Sequence, residues 1–120
     1  MTLLCPIDIA PTFPPREDVA APDRLIEGNP ALKTWALDEQ AVGDWSKIRW
    51  GIWEATPATT RSAKGEALEF CHILEGVVEL KEEGGETRIF RAGDSFVMKP
   101  GFRGEWKTIE TVRKIYVFAD

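Results

Sequence analysis

A chain of 120 residues with 43% hydrophobic and 29% charged residues has the composition of one globular domain, able to bury roughly two thirds of the surface its unfolded form exposes. Twenty acids against 15 bases give a formal charge of -5, and without a basic patch or arginine-rich run the sequence excludes nucleic acid as a partner. No apolar run approaches the roughly twenty residues of a membrane span, and the opening MTLLCPIDIAPTFPP lacks the charged start and apolar core of a secretion signal, so neither membrane insertion nor export by that route is expected. Cys5 and Cys71 are too few for a disulfide framework and have no metal-type partner nearby, which fits a reduced cytoplasm.

Residues 1–30 hold six of the eight prolines (Pro6, Pro11, Pro14, Pro15, Pro22 and Pro30). That density forbids a long helix and a central strand. The segment is expected to be an extended arm anchored by apolar residues such as Leu4, Ile7, Ile9 and Phe13, with room for a one-turn helix around Arg16 to Val19. From residue 31 to 120 the pattern predicts a single barrel domain. Leu32, Thr34 and Ala36 alternate with Lys33, Trp35 and Leu37, and a second strand from Ile48 to Glu54 follows a loop through Gly43 and Asp44. Thr56 to Gly65 is small and polar, either a loop or a weak exposed strand.

The stretch Glu66 to Glu79 (EALEFCHILEGVVE) predicts a strand, a tight turn and a second strand. Alternation places Glu69, Cys71 and Ile73 on one face and Phe70, His72 and Leu74 on the other. A hairpin at KEEGGE, turns at Arg91–Asp94 and Lys99–Phe102, and strands at Thr87 to Phe90, Ser95 to Met98, Glu105 to Thr108 and Val112 to Phe118 complete the chain. Short strands every eight to twelve residues and no amphipathic helix predict an all-β barrel or sandwich.

Between Thr56 and Glu105 these signals resemble the cupin superfamily, whose motifs run G-x5-H-x-H-x3,4-E-x6-G and G-x5-P-x-G-x2-H. Glu69 stands at the Glu position and Gly76 at the final Gly of the first motif. Gly93 and Gly101 stand at the glycines of the second, with Pro100 one place late. The segments GIWEATP, EFCHILEG, AGDSFVMKPGF, GEW and VRKIYVF resemble the ureidoglycine aminohydrolase-like and ethanolamine-utilisation cupins, a likeness running from Pro30 to Ala119. It implies a double-stranded β-helix, or jelly-roll, barrel with one internal site.

In metal-binding cupins the two His of the first motif, its Glu and the His of the second hold the metal. The corresponding positions here are Ser62 and Lys64, or Ala63 and Gly65 with the shorter spacer, and Gly104. His72 is the only histidine of the chain, so no metal and no cofactor are expected.

The resemblance places Glu69 inside the barrel, where burial would raise its pKa and make it a proton carrier, unless it is half of a structural ion pair. Lys114 and Tyr116 project from one face of the last strand and would stabilise negative charge, so Glu69, Lys114 and Tyr116 are the candidate catalytic set. Trp50, Trp53, Arg61, Cys71 and Trp106 are the candidate ligand-binding set. Among them Arg61 could meet an anionic ligand at the barrel mouth, and Trp106 either floors a pocket or fills the space of a missing metal. His72 is expected to face away, and Cys71 to be an inert buried thiol. The expected function is that of a metal-independent enzyme acting on a small polar metabolite such as an amine, ureide or sugar derivative. The alternative is a non-catalytic small-molecule-binding module or an accessory protein. A homodimer is expected, with the arm covering a sheet edge.

Overall fold

The structure, a computed structural model, describes residues 4–37 and 48–120. The predicted loop through Gly43 and Asp44 lies outside the described residues. Nine strands run through the rest: β1 Arg16–Val19, β2 Leu25–Gly28, β3 Ala31–Ala36, β4 Ile48–Ala55, β5 Ala58–Ala63, β6 Leu68–Glu82, β7 Thr87–Arg91, β8 Ser95–Met98 and β9 Arg103–Ala119. No described helix is long and apolar enough to cross a membrane.

Two long strands organise the barrel. β6 and β9 pair antiparallel along nearly their whole lengths, from Leu68 opposite Ala119 to Glu82 opposite Gly104. The far edge of β9 takes β4 along its C-terminal half and β5 along its N-terminal half. The far edge of β6 takes β8 and β7 in the same manner. The long pair thus stitches together two sets of short strands, and its curl closes the sheet around a core of Ala55, Ile73, Val78, Leu80, Met98, Trp106 and Val112.

The expected tight turn inside Glu66 to Glu79 is instead an irregularity within the single strand β6. Register shifts fall between Ile73 and Val78, and Gly76 adopts a φ of 87°. A side chain there would run into the carbonyl oxygen of Thr111 across the ladder, so a bare backbone lets the two strands bend together. The shift also changes which residues point inward. Glu69, Cys71 and Ile73 are buried before it, Val78 and Leu80 after it, a change of parity that one extra residue in a ladder imposes. Likewise the predicted strands Glu105–Thr108 and Val112–Phe118 are one strand, because β6 supplies ladder partners along both.

Arg16–Val19 is a strand and not a helical turn, since β3 offers it an antiparallel edge, with Arg16 opposite Thr34 and Val19 opposite Ala31. Ala58–Ala63 is a strand between β9 and β2. The arm therefore contributes two strands, at opposite ends of the order β1-β3-β4-β9-β5-β2, where its prolines interrupt no inner ladder. Its earlier residues lie on the outer face of the sheet. Trp35 Nε1 donates to the carbonyl oxygen of Phe13 at 3.0 Å, and Arg113 stacks on the Trp35 ring at 4.6 Å while donating to the carbonyl oxygen of Ile9 at 3.1 Å.

Candidate functional site

Inward alternation on three neighbouring strands converges on one point. β6 brings Glu69, β9 brings Lys114 and Tyr116, and β4 brings Trp53. In the register, Glu69 lies opposite Phe118, Cys71 opposite Tyr116 and Trp53 opposite Lys114. The residue that completes the cluster comes from the turn after β5. Lys64 is held there because its amide donates to the carbonyl oxygen of Phe102 and its own carbonyl accepts from Ala67.

Glu69 is 2% exposed and carries one ammonium on each carboxylate oxygen: Lys64 Nζ lies 2.7 Å from Oε1 and Lys114 Nζ 2.7 Å from Oε2. The Cys71 thiol donates to Oε2 at 3.2 Å, and Lys114 also reaches its sulfur at 3.5 Å. Aromatic rings embrace both cations. Lys114 Nζ is 4.5 Å from the Trp53 centroid and 4.4 Å from that of Trp106, and Lys64 Nζ is 5.1 Å from that of Phe118. The negative ring faces partly replace the water that burial removes from the ammoniums. Trp53 and Trp106 meet edge to face at 5.5 Å, and Trp106 Nε1 donates to Thr108 Oγ1.

These contacts reverse the expected titration of Glu69. Burial pushes its pKa up, but Lys114 and then Lys64, by charge and by hydrogen bonds, outweigh burial and hold it down at about 2. Burial would lower the pKa of Lys114, yet its acidic partners Cys71 and Glu69 raise it above its ordinary value. Burial pushes the Cys71 thiol up to about 12. At neutral pH Glu69 is thus a carboxylate, Lys114 an ammonium and Cys71 a thiol, and the raised Glu69 pKa expected of a proton carrier is absent.

Above the cluster opens a cavity of about 450 Å³. Of the anticipated residues, Glu69, Lys114, Tyr116, Trp53, Arg61 and Trp106 line it. Trp50 does not: it sits on β4 between Arg49 and Gly51, so it faces the side opposite Arg49 and Trp53, both of which line the cavity. Cys71 also does not line it. The thiol is fully buried, and its polar contacts are with Glu69 Oε2 and Lys114 Nζ. Trp106 is 5% exposed and both packs in the core and closes the cavity floor. His72 faces outward, hydrogen-bonded through Nδ1 to Ser95 Oγ at 2.6 Å.

Three cavity cations, Arg16, Arg49 and Lys64, escaped the sequence reading. A signal for Lys64 was present. It occupies a metal-ligand position of the first motif, and a residue at that position must point toward the Glu. Arg49 carried a weaker one, lying four residues before Trp53 and so on the same face of the strand. Arg16 carried none, because only the pairing of β1 with β3 brings it to the rim.

The donor set does not fit a metal ion. Among the described residues no group of three or more His, Cys, Asp or Glu is placed to hold one. The one carboxylate at the cluster is already taken by two ammoniums, which would repel a cation.

A family model described as EutQ-like cupin domain matches residues 42–116. Among solved structures, a DUF861-family protein of unknown function from Pseudomonas syringae pv. tomato str. DC3000 is similar at a TM-score of 0.80 and 26% identity, over 94% of this chain and 46% of that one. This chain thus spans less than half the length of that relative. A DUF861-family protein from Thermotoga maritima is 37% identical with a TM-score of 0.53, over 56% of this chain and 75% of that one. The EutQ protein of Clostridium difficile shares the fold at a TM-score of 0.63 and 20% identity, over 85% of this chain and 79% of that one. No relative among proteins of curated function matches the sequence.

Proposed function

On the premise that the chain belongs to the EutQ-like cupin family, we propose that it is a metal-independent protein that binds a small polar molecule in the barrel cavity above Glu69. The observation that carries this reading is the clamp of Lys64 and Lys114 on the two oxygens of Glu69. A general acid or base works best when it titrates near the working pH. A carboxyl held at about 2 is a poor base at neutral pH, and Lys114, raised above its ordinary value, is a poor acid. Groups of fixed charge lining an aromatic-walled cavity favour recognition over proton transfer. The fold itself is shared by many chemistries and carries no weight in this choice.

The test is a thermal-shift screen of the full chain against a charge-balanced panel of metabolites, with tryptophan fluorescence as a second readout, since Trp53 and Trp106 line the cavity. At least one compound should stabilise the protein saturably and shift its emission, and Trp53→Leu should weaken that response. A panel without any such compound, or hits that Trp53→Leu leaves unaltered, speaks against a cavity-binding role. Turnover of a hit followed by proton NMR separates the enzyme reading: product formed by the wild type and lost in Glu69→Gln would restore it.

A further inference from the structure

Charge is distributed unevenly in this molecule. The chain as a whole has 15 bases and 20 acids, yet among the described residues the cavity is lined by Arg16, Arg49, Arg61, Lys64 and Lys114 against the single acid Glu69. Removing those six leaves 10 bases against 19 acids for the rest of the chain. Positive charge is thus gathered into one concave site of an acidic protein, and a cleft with low-dielectric walls concentrates such a field.

The cluster at the base of the cavity is itself unbalanced. One ammonium suffices to neutralise Glu69, yet two are present, with side chains 12% and 7% exposed for Lys64 and Lys114. A buried excess charge costs free energy unless something pairs with it. Each ammonium has three donors, and Lys64 places one on Glu69 Oε1, leaving donors for a molecule in the cavity it lines. At the rim, Arg61 Nη1 donates to the carbonyl oxygen of Asp23, which orients its guanidinium without neutralising it. Arg16 is paired with Asp18 at 2.9 Å and contributes less. Guanidinium forks suit the flat two-oxygen edge of carboxylates and phosphates.

We propose that the ligand is a small oxyanion, a carboxylate or phosphate compound, drawn to the excess charge of Lys64 and Lys114 and clasped at the rim by Arg49 and Arg61. This inference rests on the binding reading above and narrows it to one ligand class.

The test is isothermal titration calorimetry of the full chain at low ionic strength with four probes: succinate, inorganic phosphate, the neutral succinamide and the dication 1,4-diaminobutane. Succinate or phosphate should bind, and the tighter of the two identifies the carboxylate or phosphate source. Succinamide should bind at least about tenfold more weakly, the loss of one charge-assisted contact, and added salt should weaken the anion. Arg49→Gln and Arg61→Gln, both at exposed positions, should each weaken the anion about tenfold without altering the melting temperature of the free protein. Succinamide or diaminobutane binding as tightly as the anions overturns the oxyanion class while leaving cavity binding in place. Anion binding indifferent to both arginine variants and to Lys64→Met overturns the assigned site. If none of the four probes binds, the oxyanion class is wrong, and cavity binding then stands or falls on the broader metabolite screen.

Discussion

Lys114 and Glu69 meet at 2.7 Å inside the barrel, both less than a tenth exposed, with Cys71 against the pair and Trp53 and Trp106 about the ammonium. The residues are 45 apart in sequence, and it is the β6–β9 ladder that joins them. Breaking such a pair from one side leaves a buried charge without its partner, and the loss far exceeds the net value of the intact pair.

Glu69→Gln is therefore expected to destabilise the protein by about 3–5 kcal/mol, read as a lower urea midpoint at unchanged slope. The double variant Glu69→Gln with Lys114→Met should recover part of that loss, because it removes the more deeply buried of the two cations, Lys64 and Lys114, that Glu69→Gln strands. A double variant as unstable as the sum of the two singles would show that the pair is not coupled.

The same pair fixes the response to acid. Glu69 titrates at about 2 in the folded protein against an ordinary 4.5, so folding favours its charged form. The stabilisation is complete above about pH 4.5 and is lost as the pH falls toward 2. Urea unfolding at a series of pH values should show this fall in the wild type and a shallower one in Glu69→Gln. Lys114, raised above its ordinary 10.5, acts in the opposite direction: its contribution is complete below that value and declines as the pH climbs past it.

The two thiols should react very differently. Cys5 is exposed, whereas Cys71 is buried with its pKa pushed up to about 12. At mildly alkaline pH an aromatic disulfide reagent should label one thiol of the native protein quickly and the second only as the chain unfolds. Two rapid labelling events in the native protein would contradict this burial.

Gly76 tests the bend in β6. Alanine there combines a left-handed φ with a collision against the Thr111 carbonyl and backbone, and is expected to cost more than about 2 kcal/mol. Gly84→Ala has a similar φ of 72° but meets nothing within 4 Å, and should cost about 1–2 kcal/mol, the strain of that conformation alone. Equal losses in the two variants would place the whole effect in the dihedral and none in the close approach of β6 to β9.

Much of the barrel was legible because its signals are local. Period-two alternation and the turn residues at Gly84, Gly93 and Gly101 depend on neighbours in the chain, and all three glycines adopt positive φ. The bend at Gly76 misread as a turn, and the split of β9 into two strands, show where locality fails: a long strand persists across a weak stretch when a partner supplies its hydrogen bonds. Arg16–Val19 became a strand for the same reason, through the edge of β3.

What the sequence by itself determined was the all-β class, the common face of Glu69, Cys71 and Ile73, and the lack of a second histidine for a metal site, since strand periodicity and residue identity need no partner to be read. The tertiary structure decided the charge state of Glu69, the inward phase of Lys114, the exclusion of Trp50 and the gathering of arginines at one mouth. Each of these depends on which groups lie within a few ångströms across different strands, and electrostatic interactions between side chains are set by that distance and by burial. A carboxylate expected to rise under burial alone is driven down instead, because folding places two ammoniums on it at once.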